Sequence, residues 1–298
     1  MSSKVRPASL SAWLFSAPAL LGLAIFVVLP FFLAIGLSLS NLRLGSPLPV
    51  EFVGFEQFKR IFNDEAFIHA LINNTVFALV VVPLQTGLAL VLALLLNQPL
   101  RGTLIFRTLI FMPVVFPLSL VGVVWILIFA PGPNGMLNAV FDFVTLGAWI
   151  PKDFLHDSAW ALPAIMLTSI WQGVGFQMVI ILAGLQAIPH VLYEAAAVDG
   201  AGRWRQFFHV TLPQLRNTLI FVVLVTTILA FRLFDQVQVM TQGGPRNATT
   251  TVMFEAVQAA FSRQQVAKGA AMTVVLFLVV LIITWLQRKL VKQEREVS

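Results

Sequence analysis

The stretch that decides the fold is Ala70–Leu96, which reads ALINNTVFALVVVPLQTGLALVLALLL and contains no charged side chain. An α-helix rises about 1.5 Å per residue, so about 20 apolar residues cross the hydrocarbon core of a bilayer, which is about 30 Å thick. This stretch is longer than that minimum. It therefore predicts a helix that spans a membrane.

Similar stretches lie on both sides of it along the chain. Six spans are predicted, at about 11–39, 70–96, 106–130, 159–187, 212–234 and 268–287. The fifth is the weakest, because its charge-free part covers only 217–231, and five spans are the main alternative. The predicted fold class is an all-α polytopic membrane protein, with a single transmembrane domain over residues 1–298.

Composition agrees with this class. Of the 298 residues, 58% are hydrophobic and 11% are charged, which is about half the charged share of a soluble domain. The net charge of +6 comes from basic residues spread along short loops, so membrane lipid is a better partner than nucleic acid. The chain has no cysteine, which excludes disulfides, thiolate metal sites and cysteine nucleophiles.

The basic residues also predict an orientation, because Lys and Arg are enriched in cytoplasmic loops. One side of the membrane receives eleven of them: Lys4, Arg6, Arg101, Arg107, Arg203, Arg205, Arg216, Arg288, Lys289, Lys292 and Arg295. The other side receives seven: Arg43, Lys59, Arg60, Lys152, Arg246, Arg263 and Lys268. Both termini are therefore predicted to be cytoplasmic. The first apolar block is about twice as long as a signal-peptide core and favours a retained anchor.

Motifs for catalysis and metal binding are absent from the sequence. The pattern HExxH and the phosphate-binding pattern GxxxxGK[ST] do not occur, and the four histidines are dispersed. The pair Gly173 and Gly175 lacks the third glycine of a nucleotide fingerprint and is better explained by close helix packing inside a span. No cofactor is expected on this chain, and any ATP-driven step requires a separate ATPase.

The loop at about 188–213 has the most specific pattern and reads IPHVLYEAAAVDGAGRWRQFFHVTLP. Pro189 suits the first turn of a short helix, the residues around Tyr193 extend it, and Gly200 is placed to end it. An ordinary amphipathic helix on the membrane surface would give a similar pattern.

This loop resembles the EAA loop of permease subunits of ATP-binding-cassette (ABC) importers. The likeness lies in Glu194-Ala195-Ala196, Asp199-Gly200-Ala201 and Leu212-Pro213, and Ile188-Pro189 with Leu192-Tyr193 narrows it to the maltose-type sugar permeases. Met240-Thr241-Gln242-Gly243-Gly244-Pro245 and Asn73-Asn74-Thr75 resemble segments of the same proteins. Asn217 departs from the family, since many EAA loops carry proline there.

The resemblance implies a permease subunit in the cell membrane of a prokaryote, forming part of a pathway for a sugar. Its implied partners are a second permease subunit, two copies of a cytoplasmic ATPase that would hold ATP and Mg, and an extracytoplasmic sugar-binding protein. The residues implied to contact the ATPase are Tyr193, Glu194, Ala195, Ala196, Asp199, Gly200 and Ala201. Glycerol phosphate and polyamines are alternative solutes, and an ion-coupled secondary carrier is the alternative from another class.

A sugar pathway needs hydrogen-bonding and aromatic side chains at helical spacing on inward faces. Two spans offer such faces, formed by Ser169, Gly173 and Phe176 and by Thr226, Ala230 and Leu233. Arg232 and Asp235, three residues apart, either form a gate or an ion pair, or Arg232 extends to the membrane interface. Each of these residues could instead serve only helix packing.

Overall fold

The computed structural model describes residues 10–98, 102–133 and 135–292. Both chain ends lie outside these ranges. So do four of the basic residues used to orient the chain, namely Lys4, Arg6, Arg101 and Arg295.

Within the described ranges, regular structure is helical apart from an isolated β-bridge between Ser40 and Phe52. The helices are α1 (Leu10–Leu23), α2 (Leu29–Ser38), α3 (Glu56–Phe62), α4 (Glu65–Leu96), α5 (Thr103–Val115), α6 (Leu118–Ile128), α7 (Met136–Val144), α8 (Ala161–Gln186), α9 (His190–Val198), α10 (Arg203–Gln206), α11 (Leu212–Phe231), α12 (Asp235–Met240), α13 (Val252–Val257) and α14 (Val266–Lys292). Short π-helical turns occupy Ala24–Val28, Phe207–Thr211 and Gln258–Ser262.

The helix of the second predicted span, α4, begins earlier than hydropathy predicts. α4 starts at Glu65 rather than near residue 70, because the carboxylate of Asp64 accepts a hydrogen bond from the backbone N–H of Ala66 at 3.0 Å. This is an N-terminal cap, and it satisfies one of the backbone donors that every helix start leaves without a partner. An acidic first turn is favourable there, although it shortens the charge-free run.

The third predicted span, 106–130, is not one straight helix. α5 and α6 meet at Phe116 and Pro117 with a bend of 102°. The residue before a proline is driven to extended backbone, and Phe116 has φ −79° and ψ 141°. The described helices include five that are long and apolar enough to cross a membrane, or six if this bent pair forms one span.

The helix of the fifth predicted span, 212–234, is interrupted. α11 stops at Phe231, and α12 starts at Asp235 after a non-helical link in which Phe234 has φ −138°. Arg232 and Asp235 therefore do not lie one turn apart on a common helix. Both side chains belong to the described part of the chain, and no ion pair joins them there. Of the alternatives stated for this pair, the ion pair is not formed in the described structure, because α11 ends before Arg232 and Asp235 begins another helix.

The described residues form two compact units. One unit contains the residues up to 63 together with 256–275, and the other contains 64–255 together with the residues from 276. In the first unit, the segment after α2 meets the start of α14, where the N–H of Ala267 donates to the carbonyl of Leu42 at 3.0 Å. α3 joins the same segment through Gln57, whose Nε2 donates to the carbonyl of Ser40 at 3.1 Å.

The second unit contains the cavity described below. There α4 packs against α8 and α11, α5 packs against α8, and α12 packs against α6. Small and branched apolar side chains fill the interior between α4, α8 and α11, including Ala89, Ala93, Val174, Met178, Ile181, Leu215 and Val222. Small residues let helix backbones approach closely in lipid, where the hydrophobic effect does not drive helices together.

The glycine pair on α8 serves this packing, as the sequence indicated. A Cβ on Gly175 would lie 2.2 Å from the carbonyl oxygen of Ile110 on α5. A Cβ on Gly173 would lie 2.0 Å from Nε2 of Gln85 on α4. Backbone cannot move aside without shifting a helix, whereas the end of a glutamine side chain can rotate.

We expect Gly175→Ala to destabilise the folded protein by about 1–3 kcal/mol, since α5 must move away from α8. The measurement is the thermal unfolding temperature of the detergent-purified protein. Gly87→Ala is the matched control, because Gly87 lies inside α4 with no atom within 4 Å of the position that a Cβ would take. The control should be neutral or stabilising by about 0.5–1 kcal/mol, because alanine is the better helix former. An equal loss of stability in both variants would contradict this assignment of Gly175.

Candidate functional site

A cavity of about 400 Å³ lies in the second unit, bordered by α4, α8, α11 and α12 and by the bend between α5 and α6. Its volume falls within the range of small-molecule sites, which is about 300–1,000 Å³. The lining combines aromatic and aliphatic surface with a few polar side chains. This combination suits an amphipathic ligand that presents both apolar faces and hydroxyl groups.

All eight residues predicted to line a solute pathway lie around this one cavity. They are Ser169, Gly173 and Phe176 from α8, Thr226 and Ala230 from α11, Arg232 and Leu233 from the link that follows, and Asp235 from the start of α12. Helical spacing selected six of them and charge selected Arg232 and Asp235, and all eight border the same space.

Four glutamines, Gln85, Gln172, Gln177 and Gln236, line the same cavity and were missed in the sequence analysis. All four are buried, the most exposed of them at 6%. Their signal was present in the sequence, because an amide inside an apolar span is costly unless it is hydrogen-bonded. Three of the four directly adjoin a predicted pathway residue, whereas Gln85 lies on α4, where none was predicted.

Gln177 has the clearest spare hydrogen-bonding capacity. Its Nε2 donates to Oγ1 of Thr226 at 2.6 Å, and Oγ1 of Thr226 donates to the carbonyl of Val222 at 2.7 Å. Among the described residues, Oε1 of Gln177 has no hydrogen-bond partner. An unsatisfied buried acceptor costs about 1–3 kcal/mol, so a donor supplied by a ligand would be favourable here.

The two charged residues of the cavity balance each other in sign. Arg232 is exposed and Asp235 is half-buried, and both border the space together with neutral amides and hydroxyls. The lining therefore carries no net formal charge. Such a site is complementary to an uncharged polar ligand rather than to an ion.

The loop at 188–213 contains the short helix predicted from its sequence. α9 covers nine residues, Pro189 precedes it as N-cap, and Gly200 follows it with φ +76°. The N–H of Gly200 donates to the carbonyl of Ala197 at 3.0 Å, and that of Ala201 donates to the carbonyl of Ala196 at 2.8 Å. This is a Schellman C-cap, which places glycine in the left-handed conformation.

Most side chains of α9 and of its C-terminal cap are exposed. Glu194, Ala195, Asp199 and Gly200 are exposed, whereas Tyr193, Ala196 and Ala201 are half-buried. Two apolar side chains, Val191 and Val198, are also exposed. An exposed face that is apolar and rich in small side chains is typical of a docking surface for another protein.

The loop is held to the helix that follows it. The hydroxyl of Tyr193 lies 3.0 Å from Oγ1 of Thr211, in the π-helical turn that leads into α11. Nε2 of Gln206 donates to the carbonyl of Ala201 at 3.0 Å. α9 follows directly on α8 and is bonded to the start of α11, so it is tied to two of the helices that border the cavity.

A second segment on which the resemblance rested also has a structural role. Nδ2 of Asn73 donates to the carbonyls of Asn247 and Thr250, each at 2.9 Å. Oδ1 of Asn74 accepts from the N–H of Val252 at 2.8 Å. The two asparagines of α4 thus clamp the segment that follows α12.

In the described ranges, no group of three or more His, Asp or Glu residues is arranged to hold a metal ion. The cavity polar groups are amides, hydroxyls and one ion of each sign. This set can orient a ligand but lacks a paired acid and base or an activated nucleophile.

The chain is similar to known membrane transport proteins. Residues 85–296 match the family described as "Binding-protein-dependent transport system inner membrane component". The sulfoquinovosyl glycerol transport system permease protein SmoG of Agrobacterium fabrum is 35% identical over 95% of this chain and 91% of its own length. The diacetylchitobiose uptake system permease protein NgcF of Streptomyces coelicolor is 36% identical over 87% of this chain and 75% of its own length.

A solved structure shares the fold. A chain of the crystal structure of a bacterial ABC transporter involved in the import of the acidic polysaccharide alginate matches with a TM-score of 0.80 and 21% identity. The match covers 95% of this chain and 96% of that chain. The present chain therefore belongs to the family of binding-protein-dependent transport system inner membrane components, and it is a multi-pass membrane permease subunit of an ABC importer.

Proposed function

We propose that this permease passes a sugar or a sugar-like, uncharged polyhydroxylated solute through the cavity between α4, α8, α11 and α12. The observation that carries the proposal is the convergence of all eight predicted pathway residues and four buried amides on one cavity without net charge. Amides and hydroxyls can pair with sugar hydroxyls, and the ring of Phe176 offers an apolar face. Diacetylchitobiose, the solute after which NgcF is named, is an uncharged carbohydrate and supports the same class.

Glycerol phosphate is the second candidate, because Arg232 borders the cavity and could pair with a phosphate. Asp235 lies on the same cavity and would repel that phosphate, so the lining favours the neutral solute. A polyamine would need several acids, of which the lining contains one. Ion-coupled transport without an ATPase is inconsistent with the family to which the chain belongs.

The proposed partners follow from the family of the chain, and the exposed face of α9 is the proposed docking site for one of them. A cytoplasmic ATPase, present in two copies, would dock on Glu194, Ala195 and Gly200, and it would supply ATP and Mg. A second permease subunit would complete the pathway, and an extracytoplasmic binding protein would deliver the solute. Closure of the ATPase dimer would push α9, and the rigid links from α9 to α8 and α11 would carry that displacement to the cavity.

This proposal requires a definite topology, with both termini and α9 in the cytoplasm. We expect a cysteine introduced at Gly200 to remain unlabelled by a membrane-impermeant maleimide in intact cells and to react after the membrane is opened. The background is suitable because the chain has no cysteine. A cysteine at Asp153, in the segment between α7 and α8, is the matched position predicted outside and should react in intact cells. Labelling of position 200 from outside would overturn the topology.

We expect Gly200→Asp to reduce solute uptake and the amount of ATPase that co-purifies with the permease, both by roughly three- to tenfold. The aspartate adds charge to the proposed contact and strains a backbone at φ +76°, which costs about 1 kcal/mol or more for a residue other than glycine. Membrane abundance should be unchanged, because nothing lies within 4 Å of the Cβ position.

Gly102→Asp is the control for this variant. Gly102 has φ +85°, has open space around its Cβ position and precedes α5, so it is not part of the loop at 188–213. It imposes the same strain outside the proposed contact. Equal co-purification and uptake in the two variants would leave α9 as an ordinary surface helix.

We expect Thr226→Val to lower uptake of a neutral sugar by about three- to tenfold. This is the effect of removing one hydrogen-bonding hydroxyl from the cavity. Thr227→Val is the matched neighbour, because Thr227 is also buried and bonds its own helix and one glutamine, Gln287, but does not line the cavity. The measurement is uptake of lactose, diacetylchitobiose, sn-glycerol 3-phosphate and spermidine by the complete transporter. Accumulation of only the phosphate or the polyamine would reject the neutral-sugar proposal, and equal effects of the two valines would reject the cavity as the pathway.

A further inference from the structure

Three side chains and one backbone carbonyl form a continuous hydrogen-bond chain beside the cavity. Oγ of Ser169 donates to Oε1 of Gln236 in a short hydrogen bond. Nε2 of Gln236 donates to Oε1 of Gln172 at 3.3 Å, and Nε2 of Gln172 donates to the carbonyl of Phe116 at 3.2 Å. Every link runs in the same direction, from the cavity toward the bend between α5 and α6.

This hydrogen-bond chain links three elements that are not consecutive in the sequence. Ser169 and Gln172 lie on α8, Gln236 lies on α12, and Phe116 lies at the bend. Gln172 is 6% exposed and Gln236 is 2% exposed. Neither amide has bulk water as an alternative partner, so breaking the chain without a replacement leaves buried groups unsatisfied. The intact chain therefore stabilises the present position of the bend.

The bond from Gln172 also supplies a hydrogen-bond donor that the carbonyl of Phe116 lacks within the helices. Extended backbone at Phe116 takes its carbonyl out of the helical hydrogen-bond pattern. A carbonyl without a partner is costly away from water, and Gln172 supplies the donor. Displacing the Gln172 amide would remove that donor and make a change in the bend less costly.

The same side chains have spare capacity toward the cavity. Each primary amide has two N–H donors and two acceptor positions, and the chain uses one of each on Gln236 and on Gln172. Ser169, Gln172 and Gln236 all line the cavity. A bound solute can occupy these open positions on Gln236 and on Gln172 and so draw the two amides away from their present partners.

We propose that Ser169, Gln172 and Gln236 form a latch, which holds the α5–α6 bend in its present arrangement and which a polyhydroxylated solute releases by bonding the two amides and drawing the Gln172 amide away from the carbonyl of Phe116. The proposal rests on the proposed function, since it requires solute in this cavity. The three residues are positioning residues. Because α8 leads into α9, release of the latch changes the resistance that α8 offers to displacement of α9 by the ATPase.

The experiment uses the complete transporter with its binding protein, and it measures ATP hydrolysis with and without the sugar that the wild type takes up best among lactose and diacetylchitobiose. We expect Gln236→Leu and Gln172→Leu to raise hydrolysis without sugar by about three- to tenfold, the effect of losing one net hydrogen bond on a two-state equilibrium. Stimulation by sugar should fall to near one, because the latch is already open.

Two further variants separate the latch from general damage. Ser169→Ala removes a single hydroxyl and should raise hydrolysis without sugar in the same way, while the protein stays folded. Gln238→Leu is the matched control, since Gln238 lies on α12 two residues beyond Gln236 and does not line the cavity. The control should keep the wild-type rate and the wild-type stimulation.

A second measurement does not depend on ATP or on sugar. Leu118 borders the cavity at the start of α6, and a cysteine there reports the position of the bend in a chain with no other cysteine. We expect its maleimide labelling rate to rise by about three- to tenfold when Gln236→Leu or Gln172→Leu is added, and to stay constant with Gln238→Leu.

The outcomes distinguish the two proposals. Wild-type transporter that takes up only sn-glycerol 3-phosphate or spermidine would reject the neutral-sugar assignment, and the labelling rates would still decide whether the latch holds the bend. Normal sugar uptake with unchanged hydrolysis and labelling in all three latch variants would overturn the latch and leave the proposed function standing. Equal effects of Gln238→Leu would also overturn it.

Discussion

The constraint on which this structure depends is that lipid offers no hydrogen-bond partner, so a membrane protein must satisfy its polar groups internally. Helices meet this constraint along their length, and breaks in helices do not. The bend at Phe116 and Pro117 is such a break, and the amide of Gln172 supplies the missing donor. The second asparagine of α4, Asn74, satisfies the N–H of Val252 in the same manner elsewhere in the unit. These two polar side chains are therefore placed where backbone regularity fails.

The same requirement produces a cavity suited to polar solutes. Amides that stabilise irregular backbone bring hydrogen-bonding capacity into an apolar interior, and only part of that capacity is used by the protein. Gln177 keeps an acceptor without a partner among the described residues, and Gln172 and Gln236 each keep positions open. A site built in this way can exchange internal hydrogen bonds for bonds to a solute at low net cost. Structural support and solute recognition would then share one set of side chains.

α9 is exposed and does not line the cavity, but in sequence it lies between two helices that do, α8 and α11. It begins shortly after the end of α8, and Tyr193 bonds it to the turn before α11. α8 and α11 both line the cavity and pack on the same apolar interior. Close packing makes such elements move as rigid bodies rather than deform gradually. A displacement imposed on α9 would therefore reach the cavity through helices and a few hydrogen bonds.

Much of this protein was determined by its sequence alone. Long charge-free runs predict spanning helices because backbone groups cannot remain unpaired in lipid, and Gly200 predicts the end of α9 because a left-handed C-cap favours glycine. The helical spacing of Ser169, Gly173 and Phe176 was sufficient to select one face of α8, since that spacing is local. Three features were decided by tertiary structure alone. The third predicted span is broken by a bend of 102°, α11 ends before Arg232, and Gln172 and Gln236 are hydrogen-bonded to each other. Those features depend on partners distant in sequence, and periodicity within one helix carries no information about which side chain of another helix will meet it.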